Sequence, residues 1–192
     1  MKLRCDWAVG DPIYENYHDE EWAVPTYDDT LLFECLLLEG FQAGLSWITV
    51  LEKRAHYHCV MDAFNPEKIA RYDETKVQAL LLDKGIIRHE LKIRGAIKNA
   101  QRFLALQEAG NCFSDYIWSF VDGQVIEHQF ASLDQVPAVD EISIRMSKQL
   151  KKAGFTFVGP TICYAFMQAT GMVNDHLLSC FRHEECRAVH DF

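Results

Sequence analysis

The chain has 192 residues, 49 % of them hydrophobic and 24 % charged. That balance suits one packed domain over residues 1–192 and excludes a disordered or fibrous chain. Nineteen basic residues against 28 acidic give a net charge of −9, unpromising for a protein that approaches phosphates unless its basic residues are clustered.

The first residues, 1–7, carry Lys2, Arg4 and Asp6 and no apolar stretch, so no secretory leader is expected and a cytoplasmic protein is. Asp28 caps a helix through Leu31, Leu32, Cys35, Leu36 and Leu38, which residues 40–46 interrupt. The apolar run at Leu36 to Leu38 is far too short to cross a bilayer, and no membrane contact is expected. Ser46 caps a second helix from Trp47 to about Val60, Asn65-Pro66 starts a third, and Asp73 opens a fourth through Val77, Leu80 and Leu81. Ile93, Ala96, Ile97, Ala100, Phe103 and Leu104 follow helical spacing, which predicts an amphipathic helix with its basic residues outward. Asp122-Gly123 marks a turn between residues 118–121 and 124–126, where a small hairpin fits. Gly159-Pro160 starts a helix that Gly171 ends, and Asn174-Asp175 caps a last one over residues 176–181. Eight or so helices with at most a token strand pair make the expected fold all-α.

Seven scattered cysteines point to thiols or metal ligands rather than a disulfide framework. His176 and Cys180, four apart on the expected last helix, project from one face, and Cys5 and His18 stand near the other end. Together they would make a two-thiolate, two-imidazole site with no position left for water, hence structural rather than catalytic. His183 and Cys186 lie close enough in sequence to replace one ligand.

Glu39 sits inside the apolar run Leu36-Leu37-Leu38-Glu39-Gly40-Phe41. It is either turned to solvent at a helix end or a preorganised negative charge for a cationic ligand. Trp7, Tyr14, Tyr17, Trp22 and Trp47 are near the same segments, and their faces stack on bases, more strongly on a cationic ring. Basic residues cluster at Lys84, Arg88, Lys92, Arg94, Lys98 and Arg102 against Glu90 alone, and again at Arg145, Lys148, Lys151 and Lys152. A solvated helix face explains such clusters equally. The break Leu82-Asp83-Lys84-Gly85-Ile86-Ile87-Arg88-His89 fits a helix-hairpin-helix phosphate grip, although Ile87 stands where that motif has its second glycine, and an ordinary connection fits as well.

Together these segments resemble the bacterial 3-methyladenine DNA glycosylase I family. The matching pieces include Arg4-Cys5-x-Trp7, Tyr17-His18-Asp19-x-Glu21-Trp22, the run from Leu38-Glu39-Gly40 to Ser46-Trp47, Gly85-Ile86-Ile87-Arg88-His89, Phe157-Val158-Gly159-Pro160-Thr161 and Val173-Asn174-Asp175-His176. They follow the family's order over nearly the whole chain. The resemblance implies a helix-hairpin-helix glycosylase-like domain whose N-terminal arm and last helix are joined by one structural Zn2+ on Cys5, His18, His176 and Cys180. It implies a base pocket of Glu39, Tyr17 and Trp47 walled by Trp7 and Tyr14. Gly44 and Leu45 would lie at the DNA face, with Leu45 wedged into the gap left by a flipped nucleotide. Gly85, Ile86, Ile87, Arg88 and Lys92 would meet phosphates.

The implied activity is monofunctional, hydrolytic excision of 3-methyladenine from alkylated double-stranded DNA, by a monomer, with free 3-methyladenine as product. The family lacks the catalytic aspartate of its superfamily, and no substitute stands out in the sequence. N3-methylation makes the attached base cationic and weakens its bond to the sugar, so extrusion, positioning and a nearby negative charge suffice. A carboxylate that only grips the cation stabilises the ground state too. Glu39 is therefore assigned first to recognition, with catalysis as a second role. The competing readings are a zinc-stabilised DNA-binding module without catalysis and a zinc hydrolase, which four protein ligands disfavour.

Overall fold

The computed structural model describes residues 2–190, with the side chains of 188–190 left aside. Ten α-helices occur among the described residues. The first five are α1 (Pro12–Glu20), α2 (Asp29–Gln42), α3 (Trp47–Val60), α4 (Pro66–Ile69) and α5 (Glu74–Leu82). They are followed by α6 (Glu90–Glu108), α7 (Phe113–Trp118), α8 (Glu141–Lys152), α9 (Pro160–Ala169) and α10 (Phe181–His190). The strands β1 (Ile126–Glu127) and β2 (Val173–Asn174) pair in parallel, Ile126 opposite Val173. No described helix is long and apolar enough to cross a membrane.

Helix α2 is the axis of the core. Leu32, Phe33, Leu36, Leu37, Leu38 and Phe41 are buried on it, packed with Ile93 and Phe103 of α6 and Phe166 and Met167 of α9. It passes unbroken through Gly40, where the sequence predicted a stop. The glycine serves packing instead: a Cβ there would lie 3.3 Å from the Cβ of Phe157. Phe157 adopts φ 56° and also lies over Gly95 of α6, where a Cβ would come within 2.7 Å of its ring. One left-handed phenylalanine thus occupies a notch made by two helical glycines.

Several local expectations change. Asp11 caps α1 with Pro12 at its first position, the same signal that marks Asn65-Pro66, and this helix was not anticipated. Ser46 precedes α3 but bonds to the Thr49 hydroxyl (2.8 Å); Tyr14 Oη accepts the free amide of Ile48 (2.9 Å) in its place. No hairpin forms at Asp122-Gly123, because residues 119–121 are a 3-10 turn and β1 pairs instead with the distant β2. Residues 175–180 are not helical; α10 begins where the last helix was expected to end. On α6, Arg94, Lys98 and Arg102 face outward as expected, but Lys92 does not. It is 8 % exposed and donates to the carbonyls of Phe41 (2.9 Å) and Ala43 (2.6 Å) at the C-terminal end of α2, where a cation suits the helix dipole.

A candidate base pocket beside a candidate metal centre

The metal corner draws on both ends of the chain. Cys5 precedes a 3-10 turn, His18 lies on α1, and His176 and Cys180 flank the turn before α10. Although no helix carries the last two, the turn still brings Cys180 Sγ to 3.6 Å from His176 Nδ1. Cys180 Sγ is 3.4 Å from His18 Nε2, Cys5 Sγ is 3.7 Å from His176 Nδ1, and all four ligand atoms lie within 4.8 Å of one another. A tetrahedral ion with metal–sulfur and metal–nitrogen bonds near 2.3 and 2.0–2.1 Å requires sulfur–nitrogen edges of about 3.6 Å. The geometry fits. His183 and Cys186 stay outside this group.

The groups around the ligands fix their protonation. His176 Nε2 lies 3.2 Å from the carbonyl of Trp22, which can only accept, so the lone pair on Nδ1 is free for the metal. Burial holds this imidazole below its ordinary pKa. His18 Nδ1 lies 2.8 Å from Asp19. The Arg4 guanidinium, bonded to Asp19 at 2.7 and 2.9 Å, holds that carboxylate down to about 2, so it accepts from His18 and leaves Nε2 to the metal. A hydrogen bond with Cys5 lowers the Cys180 thiol well below its ordinary value and raises Cys5 in return. The four side chains form a buried group that could hold a metal ion.

Next to this corner opens a cavity of about 470 Å³. Glu39, Tyr17, Trp47, Trp7 and Tyr14 all line it, so the five residues named from the sequence converge. Tyr17 and Trp47 stand 5.5 Å apart between ring centroids, and Trp7 meets Tyr14 edge-on at 5.5 Å. Trp7 also packs on His18 (5.4 Å) and Trp22 (5.0 Å), joining the pocket wall to the metal corner.

Glu39 is 4 % exposed and has no hydrogen-bond partner among the described residues. Burial raises its carboxyl to about 8, so a cation placed beside it would favour the charged form. Burial, then Glu39, also raises the Tyr17 phenol. Trp47 Nε1 is a second buried polar atom of the pocket residues without a partner among the described residues. A cavity with aromatic walls, one unpaired carboxyl and one unpaired donor suits a flat, nitrogen-rich ring.

Sequence reasoning missed part of the wall. Leu133, Val136 and Pro137 enter from the segment after β1, to which no function was attached, and Gln168 and Asp175 also line the cavity. Asp175 is held by His128 Nδ1 (2.6 Å), Tyr164 Oη (2.7 Å) and Gln168 Nε2 (2.8 Å). Nothing local in residues 128–140 signals this role.

Of the residues expected at DNA, Gly44 (φ 79°) and the 41 % exposed Leu45 form a protruding turn. Gln42 donates to the Leu45 carbonyl (2.9 Å) and lines the cavity, so the turn is tied to the pocket. Arg88 is exposed and unpaired among the described residues. The connection from Leu82 to His89 is less free than expected. Gly85 N donates to Asp83 (2.7 Å), Ile87 N to Tyr57 Oη (3.0 Å), Ile86 is buried, and a Cβ on Gly85 would strike the His56 ring. Lys92 is withdrawn from the surface.

A family model described as methyladenine glycosylase matches residues 7–183. The DNA-3-methyladenine glycosylase 1 of Escherichia coli K12 is 50 % identical over 177 residues, 92 % of this chain and 95 % of that protein. A crystal structure of a 3-methyladenine DNA glycosylase I superposes with a TM-score of 0.92 at 53 % identity, covering 93 % of this chain and 98 % of that one. A tyrosine-to-phenylalanine variant of another, in complex with 3-methyladenine, gives 0.89 at 35 % identity, covering 93 % and 96 %.

Proposed function

The chain belongs to the methyladenine glycosylase family, and from that premise we infer that it is a DNA repair glycosylase that hydrolyses the bond between 3-methyladenine and its sugar. The observation that carries the reading is the buried, unpartnered Glu39 carboxyl among aromatic faces.

The extruded base stacks against Tyr17 and Trp47, and its exocyclic amine faces Glu39. A cationic ring favours the ionised carboxylate, so entry of the lesion drives off the proton that burial retains. That coupling selects the methylated base over adenine, which offers no charge and is a poorer leaving group. Departure leaves a neutral base and an oxocarbenium-like sugar that water captures. Leu45 fills the gap in the stack and Arg88 meets a phosphate, a reading that the exposure of both side chains and the charge of Arg88 support.

The metal is zinc, by its two-thiolate, two-imidazole donor set. When bound it supplies a cross-link between the chain's two ends and no open coordination position. Cys5, His18, His176 and Cys180 would hold it, with Asp19 and the Trp22 carbonyl orienting the imidazoles. The working unit is a cytoplasmic monomer acting on duplex DNA. Incubation with methylated duplex DNA is expected to release 3-methyladenine and no detectable adenine; release of neither would leave only a DNA-binding module.

A further inference from the structure

The three pocket residues that face the base come from three different helices: Tyr17 from α1, Glu39 from α2 and Trp47 from α3. Behind them the same three segments meet a second time. Arg54, two turns beyond Trp47 on α3, donates Nε–H to Glu34 of α2 (2.7 Å) and Nη1–H to Glu21, the residue that follows the last of α1. His58, also on α3, adds a contact to Glu34 at 2.9 Å. Glu34 is only 2 % exposed, and none of Arg54, Glu34 or His58 lines the cavity.

Such a cluster is a poor device for stability alone, since apolar side chains of the same size often serve equally well. Its advantage is geometric. A guanidinium presents its donors in one rigid plane, so two carboxylates bound to it have fixed relative positions. Glu21 N–H bonds to the carbonyl of Tyr17 (3.0 Å), so fixing Glu21 fixes the turn that carries the pocket tyrosine.

We propose that Arg54 is a positioning residue for the base pocket, clamping α1 and α2 onto α3 through Glu21 and Glu34 so that Tyr17, Glu39 and Trp47 converge. This rests on the base-pocket reading above. Displacement of the clamp shifts the walls without removing any group that touches the base, and small misplacements of this kind are costly to recognition.

Free 3-methyladenine is titrated into the parent, into Arg54→Met and into a Glu34→Gln/Arg54→Met double variant, with melting temperature and metal content measured for each. Arg54→Met leaves Glu34 buried without its main partner and is expected to melt earlier; the double variant removes that charge and regains stability. Both are expected to bind the base about tenfold more weakly. Parental affinity in the double variant, recovered along with its stability, would overturn the proposal and leave Arg54 a structural residue. Should the double variant not fold, Arg54→Lys decides: its single ammonium cannot span both carboxylates, so weakened binding supports the clamp and parental binding overturns it. Failure of the parent itself to bind the base would refute the pocket reading, a separate result.

Discussion

The metal corner and the base pocket share the wall made by Trp7, yet they treat their polar atoms in opposite ways. At the corner both imidazoles have their outer nitrogens matched to acceptors, and Cys5 Sγ accepts from Leu177 N at 3.4 Å. In the pocket Glu39 is buried too, yet it has no hydrogen-bond partner among the described residues. The satisfied groups of the corner serve the fold, whereas the unpaired carboxyl inside a cavity is available to a ligand at some expense to stability.

The largest effect is expected at the corner. Cys180→Ser should lose the metal and, because the cross-link closes a loop of most of the chain, destabilise the protein by roughly 5 kcal/mol on the chain-entropy argument. Unchanged metal content and melting temperature in that variant would break the contrast. At Glu39 the two regions should separate most clearly. Glu39→Gln is expected to weaken free 3-methyladenine binding by roughly 1.5–3 kcal/mol, the scale of a hydrogen bond to a charged group.

The same substitution should act on stability in the opposite direction. Burial raises the carboxyl from 4.5 to about 8. The folded state therefore holds a proton that the unfolded state releases, and that stability is present below pH 4.5 and lost as pH rises through about 8. Melting curves at rising pH should show the parent losing more stability across that window than Glu39→Gln, the difference being the Glu39 contribution. Equal pH dependence in both would mean that Glu39 is solvated.

The smallest effects sharpen the rule within the basic stretch. Lys92 is satisfied by two carbonyls and Arg88 by nothing described. Lys92→Met should lower the melting temperature and leave the salt dependence of DNA binding unchanged. Arg88→Met should leave stability alone and flatten that dependence by roughly one unit of slope. A flattened slope for Lys92→Met would mean that the lysine leaves its carbonyls to meet DNA.

Local signals were legible wherever a residue's role is decided by its neighbours in sequence. Asp28, Asn65 and Asp73 cap the helices they were expected to cap, because a side chain two or three residues from a free amide needs no tertiary partner. Residue pattern singled out Glu39 in its apolar run and the cysteines and histidines near both ends, because such side chains keep their meaning in a list of letters; the resemblance to the family grouped them into a candidate ligand set and a candidate pocket.

What the sequence by itself determined was the mostly helical class and most helix starts. Only the tertiary structure decided that α2 continues through Gly40, since the reason is a phenylalanine more than a hundred residues away in the chain. It also decided that Lys92 is buried: the residue stands one turn before Ala96 at the edge of the apolar face of α6, and only the end of α2, packed against it, supplies the carbonyls that draw its ammonium inward. The pocket's apolar wall from Leu133 to Pro137 and the Arg54 clamp belong to the same class. Each depends on surfaces that meet only after folding, where burial and partner geometry rather than local propensity set the free energy of a side chain.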